Sequence, residues 1–400
     1  MKPSRLIPLL AALAFAVPAA AAPVVANVRA AQRPGTHLVD IYYDATDDAG
    51  LPLTVTVLVS ADGGATWNIP AVTLTGAAGP GVAAGLNHQI VWDAGVDWPG
   101  QFTSQCRVRV LADDGSGLPA PAGMVYVPPG AFQMGDNLDS ETDAQPVHNV
   151  FVSAFFMDKN LVSGLQWVGI YNWAVGHGYT FDYVGSWFAP NHPVQSIDWN
   201  DAVKWCNARS EMEGRTPCYY TSAAQTTVYR TGDLNLANAC VKWNANGYRL
   251  PTDAEWEKAS RGGLVGKRYP WGDTINGSDA NYGGSGNPFV VNNPATTPVG
   301  YYNGNQTPAG VDMANGYGLY DMAGNVQEMC WDWYSAAYYG DATALNDPRG
   351  PGGTGYRVSR GGSWVSVASE CRSALRGELG PSPYSSRFYG FRSVLAPGQP

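Results

Sequence analysis

Charge is scarce in this sequence. Only 14% of the residues are Asp, Glu, Lys or Arg, and the formal net charge is −9. Binding a phosphate backbone needs a basic surface, so no nucleic-acid partner is expected. Long hydrophobic runs are missing after the first 22 residues, so no membrane span is expected in the rest of the chain. The five histidines (His37, His88, His148, His177 and His192) form no H-x-x-x-H pair, which argues against a histidine-based metal centre. The six cysteines include no C-x-x-C, which removes the zinc-ribbon and thioredoxin readings.

Glycine and large aromatics are plentiful: 48 Gly, 14 Trp and 22 Tyr. This composition suits a loop-rich fold with an aromatic core rather than long amphipathic helices. Residues 1–22 read as a secretory signal, with Lys2 and Arg5 ahead of LIPLLAALAFAV and a small-residue zone PAAAA cut after Ala20 or Ala21. The mature chain is therefore expected to be exported, to the periplasm, the cell surface or the medium. Disulfides can form there. Cys218 and Cys240 flank a polar segment, and a bridge closing that loop is one expectation. Cys106, in a strand pattern, and Cys206, on the inward face of a helix, read as buried free thiols.

Residues 23–115 alternate apolar and polar positions in short runs, among them LVDIYYDA, LTVTVLVS and QCRVRVLADD, separated by turn signals such as DDAG and the glycine-rich stretch 76–85. An antiparallel β-sandwich of immunoglobulin or fibronectin type is predicted. Within it SADGGATW, 60–67, fits the S-x-D-x-G-x-x-W Asp-box, in which Asp62 would accept turn amides; one copy makes a hairpin, not a propeller. Residues 116–122 read as a linker of small residues and proline.

Three helices are predicted beyond the linker. IDWNDAVKWCNARSEM carries Asp198 as N-cap, with Ala202, Val203, Cys206 and Ser210 on one face. YRLPTDAEWEKASRGG carries the Thr252/Glu255 capping box and stops at Gly262–Gly263. SGLQWVGIYNWAV covers 163–175.

Seven segments in order, VPPGAFQMG, PVQSIDWNDAVKWC, GYRLPTDAEWEKASRGG, YPWGD, NGYGLYDMAGNVQEMCWDWY, RVSRGGSW and YGFRSV, make residues 123–396 resemble the formylglycine-generating enzyme or sulfatase-modifying factor family. The resemblance implies an α+β, C-type-lectin-like fold. It also implies a copper- and oxygen-dependent oxidase that converts a peptide cysteine of sulfatases to formylglycine, with Cu(I) held between two cysteines five residues apart. Aligned on Gly361-Gly362-Ser363-Trp364, those positions are Ser366 and Cys371. A serine hydroxyl is a hard donor that stays protonated, whereas Cu(I) takes soft thiolates. Cys330, near the family's active-site rim, could pair with Cys371 as a disulfide or as a displaced metal pair.

The family also binds calcium. The resemblance carries one site to the side chains of Asp321 and Glu328 and the carbonyls of Gly324 and Val326, hard donors suited to that ion. A second would start at Asn281-Tyr282 and end near Val291. The spacing in 364–392 is similar to lectin-like proteins whose variable positions form a binding face, here Ser366, Val367, Glu370, Leu375, Tyr384 and Phe388. Two functions are thus expected: a calcium-stabilised module binding a peptide, a protein such as a sulfatase, or a surface ligand; or the oxidase itself with altered metal ligation.

Overall fold

The computed structural model describes residues 23–397 apart from 49, 65, 66, 68, 70, 115–119, 139–140, 288–295, 342–344 and 381–383. The signal segment, most of the linker and Val291 lie outside the described residues.

Among the described residues, seven strands build the front of the chain: β1 (Val24–Gln32), β2 (Leu38–Thr46), β3 (Leu53–Ser60), β4 (Leu74–Gly76), β5 (Gly79–Val82), β6 (Gly85–Asp93) and β7 (Arg107–Asp113). They form two antiparallel sheets, ordered β1-β2-β6-β4 and β5-β3-β7. Alternation on β2, β3 and β6 turns Ile41, Tyr43, Val55, Val57, Val59, Ile90 and Trp92 into one buried apolar cluster. The glycine-rich stretch is more than a turn. It holds β4 and β5, and the chain passes between them from one sheet to the other. Gly76 (φ +90°) permits this, since a Cβ there would lie 2.3 Å from the Gln89 carbonyl oxygen. In the Asp-box hairpin Ser60 Oγ accepts the Gly64 amide at 2.8 Å and donates to Asp62 at 2.7 Å. Cys106 precedes β7 and is exposed, not buried, because the register of β7 begins at Arg107.

The rest of the chain is mostly irregular. β8 (Met124–Val127) and β9 (Gly130–Met134) open it, followed by β10 (His148–Val152) and β11 (Phe155–Asp158). Its helices are α2 (Gly164–Val175), α3 (Trp199–Met212) and α4 (Asp253–Arg261), after a single turn α1 (Ala94–Asp97) in the front part. The late strands are β12 (Tyr248–Arg249), β13 (Gln327–Trp333), β14 (Arg357–Arg360), β15 (Gly377–Leu379), β16 (Tyr389–Gly390) and β17 (Val394–Leu395). Two sheets, β12-β17-β11-β8 and β15-β14-β13-β16, the second with a parallel β13–β16 pair, give the α+β, C-type-lectin-like arrangement.

Aromatics fill the centre. Trp167 and Trp205 stack with rings 6.0 Å apart, and Phe391 meets both edge-on. The caps form where the sequence places them: Asp198 accepts the Asp201 amide, Thr252 and Glu255 complete a capping box, and Gly262 closes α4 at φ +56°. α3 differs from its amphipathic reading, for every residue from Trp199 to Ser210 is buried. Polar side chains survive inside because they are paired. Arg209 meets Asp158 at 2.9 Å, and Lys204 meets Asp201 at 3.3 Å.

Candidate functional site

The turn that follows β14 sets the site. Gly361 and Gly362 both lie at positive φ, and a Cβ on Gly362 would come within 2.7 Å of Cys371 Sγ. Glycine is thus required where the backbone crosses the sulfur. The turn continues through Ser363 and Ser366, whose hydroxyls are 3.4 Å apart, and ends in a single 3₁₀ turn, Ala368–Cys371. Segment 281–283 is laid over it, with the Gly283 amide donating to the Ser366 carbonyl at 2.8 Å. Cys371 is fully buried against Tyr269, Ala280, Tyr282 and Ala323. Burial, reinforced by the Glu370 carboxylate, pushes its thiol up to about 12, with the Gly324 amide pulling weakly the other way. The thiol is therefore protonated at neutral pH. One thiol with an alcohol in place of the second does not fit a two-thiolate Cu(I) site, because the hydroxyl is a hard donor that stays protonated.

No other cysteine completes the pair. All six are free thiols, so both expected disulfides are corrected. Cys330 lies on β13 in a different core cluster, among Trp256, Val358 and Met157, and does not reach Cys371. Cys218 fails to meet Cys240 for a reason of register. The antiparallel Tyr219–Val241 bridge sets Cys218 opposite Lys242 and Cys240 opposite Tyr220, and the Cys218 thiol donates to the Gly247 carbonyl at 3.3 Å.

Loop 321–328 passes beneath this turn. Asp321 sits at φ +56° and accepts the Gly300 amide at 2.7 Å. Glu328, wholly buried, accepts from Arg392 Nε and Nη2 at 2.7 and 2.9 Å. Two carboxylates thus face one guanidinium, and burial pushes Asp321 up to about 6. The loop carries one anionic charge more than its arginine neutralises. Together with the hard oxygen donors, this fits a calcium ion held by Asp321, the Gly324 and Val326 carbonyls, and Glu328 shared with Arg392. The Asn281-Tyr282 position lies beside this loop. The Asn281 carbonyl accepts the Asn325 amide at 2.8 Å, and Tyr282 packs on Cys371.

The arginines of the motifs are structural. Arg360 binds Asp253 and Glu257, Arg372 binds Asp136 and Glu141, and Arg376 binds Asp253. Outside them the turn presents a partly apolar face: Val365, Val367 and Tyr384 are exposed, and Arg387 lies over the Trp364 and Phe388 rings at 5.1 and 5.4 Å. Of the expected contact positions, Val367, Glu370 and Tyr384 are exposed, and Ser366, Leu375 and Phe388 half-buried. Tyr269 opens the YPWGD segment and Tyr282 stood in the second calcium loop, but no pattern in the sequence marked either as a cover for Cys371, from which they are about 90 to 100 residues distant.

Residues 115–397 match the Sulfatase-modifying factor enzyme 1-like domain, so the chain belongs to the sulfatase-modifying factor family. It is 33% identical over 275 residues to "Chaperone protein LppX" of Paenibacillus barcinonensis, covering 64% of this chain and 83% of that protein. It is 34% identical over 306 residues to "Formylglycine-generating enzyme" of Streptomyces coelicolor, covering 68% and 88%. It is also 34% identical over 287 residues to "Serine/threonine-protein kinase Pkn1" of Chlamydia trachomatis, but that match spans only 40% of the kinase's length. Among solved structures, "Treponema denticola variable protein 1" superposes with a TM-score of 0.53 at 27% identity, covering 68% of this chain and 95% of that one.

Proposed function

We propose that this protein is an exported partner-binding member of the sulfatase-modifying factor family, steadied by calcium at loop 321–328 and without copper oxidase turnover. One observation carries the reading: Ser366 stands where a second thiol is needed, which leaves Cys371 as a single buried sulfur with no second cysteine beside it. The partner is a peptide or protein, a sulfatase included, or a surface ligand, and it meets the face formed by Val365, Val367, Glu370, Tyr384 and Phe388. A relative named as a chaperone protein is in keeping with a polypeptide partner. The front strands form an immunoglobulin- or fibronectin-like sandwich ahead of this domain.

The test uses the full chain without its signal, Cu(I), oxygen and a sulfatase-type cysteine peptide. The expected result is no stoichiometric copper and no aldehyde by mass spectrometry, with Ser366→Cys gaining tight Cu(I) binding. Aldehyde formed by the unsubstituted protein would establish the oxidase instead.

A further inference from the structure

Three carboxylates from separate segments meet beside the first turn of α3. Asp182 comes from the loop after α2, Asp198 is the N-cap of α3, and Asp233 lies in the turn after Tyr229; one oxygen of each falls within 4.8 Å of the others. Backbone contacts fix all three segments. The Asp182 and Tyr183 amides both donate to Asp201 at 3.0 Å. The Gly232 carbonyl accepts the Tyr229 hydroxyl at 2.6 Å and Lys204 at 3.3 Å. The carboxylates are thus brought together by hydrogen bonds that do not depend on their own charge.

Asp198 supplies a second, separate observation. It is fully buried, and its Oδ1 caps the helix by accepting the Asp201 amide at 2.7 Å. Its Oδ2 is buried with no hydrogen-bond partner. A buried carboxylate oxygen left without a donor is costly, so the position calls for a ligand. The local charge has the same sign. Asp182, Asp198, Asp201 and Asp233 face one ammonium, Lys204, which is already bound to Asp201 at 3.3 Å. The carboxylates outnumber the one ammonium.

We propose that Asp182, Asp198 and Asp233 bind a calcium ion at the junction of α2 and α3, a site separate from loop 321–328. The donors are hard oxygens, and any two oxygens on one calcium ion lie no more than about 4.6–5.2 Å apart, a limit these three keep. Asp182 and Asp233 are exposed, so the ion enters from solvent and water completes its shell. Bound there, it ties the loop after α2 and the turn after Tyr229 to the start of α3.

The test is calorimetric titration of the chelator-stripped full chain with calcium chloride, with melting curves taken alongside. Asp198→Asn keeps the cap, because asparagine caps helices as well as aspartate, and Asp233→Asn changes an exposed residue; circular dichroism checks both folds. Each is expected to bind one equivalent fewer than the unsubstituted protein and to lose the matching rise in Tm, while Asp321→Asn retains this equivalent. The same count, affinity and Tm response in Asp198→Asn and Asp233→Asn would overturn the proposal, leaving protons shared among the carboxylates as the means of relief. Equal stabilisation by magnesium chloride would overturn the choice of calcium.

Discussion

A buried thiol with no cation beside it behaves as a small apolar residue, and Cys371 is one. Its sulfur is covered by Gly362, whose missing side chain makes the contact possible. With the thiol held near 12, only about one part in ten thousand is ionised at pH 8. Iodoacetamide should therefore label the exposed Cys106 first and leave Cys371 unlabelled until the chain is unfolded, as peptide mapping would show. Labelling of Cys371 in the native protein as fast as Cys106 would mean that the site opens. The serine at 366 was legible from the sequence, because its place is fixed by counting from Gly361-Gly362-Ser363. Burial of its partner was not, because the covering Tyr269 and Tyr282 are remote in sequence.

Among the elements, α4 shows best how local chemistry becomes tertiary structure. Thr252 Oγ1 accepts the Glu255 amide at 3.2 Å, and Glu255 returns a bond to the Thr252 amide at 2.8 Å while also pairing with Arg249 at 2.6 Å. Thr252→Ala should cost about 1 kcal/mol, read as a lower urea midpoint with unchanged m-value. Glu255→Gln should cost more, since it leaves the Arg249 guanidinium buried without its counter-charge. The capping box was plain in the sequence, because it is local and spans four residues. The ion pair was not, and neither was the burial of every face of α3, whose polar residues are matched by partners from distant loops.

At the level of the whole molecule, the front sheets and the family domain are joined by specific bonds. Thr56 Oγ1 on β3 donates to the Pro129 carbonyl at 3.0 Å. Lys258 on α4 reaches the Pro128, Gly130 and Val152 carbonyls at 2.7, 2.8 and 3.2 Å, so the β8–β9 turn is held from both sides. Acid sensitivity is also a property of the whole fold. Burial lowers the His192 pKa, although its bond to Thr296 opposes this. The unfolded chain, titrating near its usual value of about 6.5, then binds more protons than the folded one between that value and the lower folded pKa. Stability should fall as pH drops through this window. His192→Gln should flatten that part of the curve of Tm against pH; the same slope in both proteins would assign the acid response to other groups.

Sequence alone determined what depends on near neighbours or on residue type: the helix caps, the alternation of β2 and β3, the hard donors of loop 321–328 and the alcohol at 366. Family membership was legible too, because it rests on seven segments in fixed order. Tertiary structure decided which distant groups meet. It kept Cys330 from Cys371, put Cys218 out of register with Cys240, gave Glu328 to Arg392, and gathered Asp182 and Asp233 around a cap. The reason is physical: a cap or a strand face follows from bonds between near residues, whereas a pairing inside a loop-rich fold follows from long-range packing, which no local pattern records.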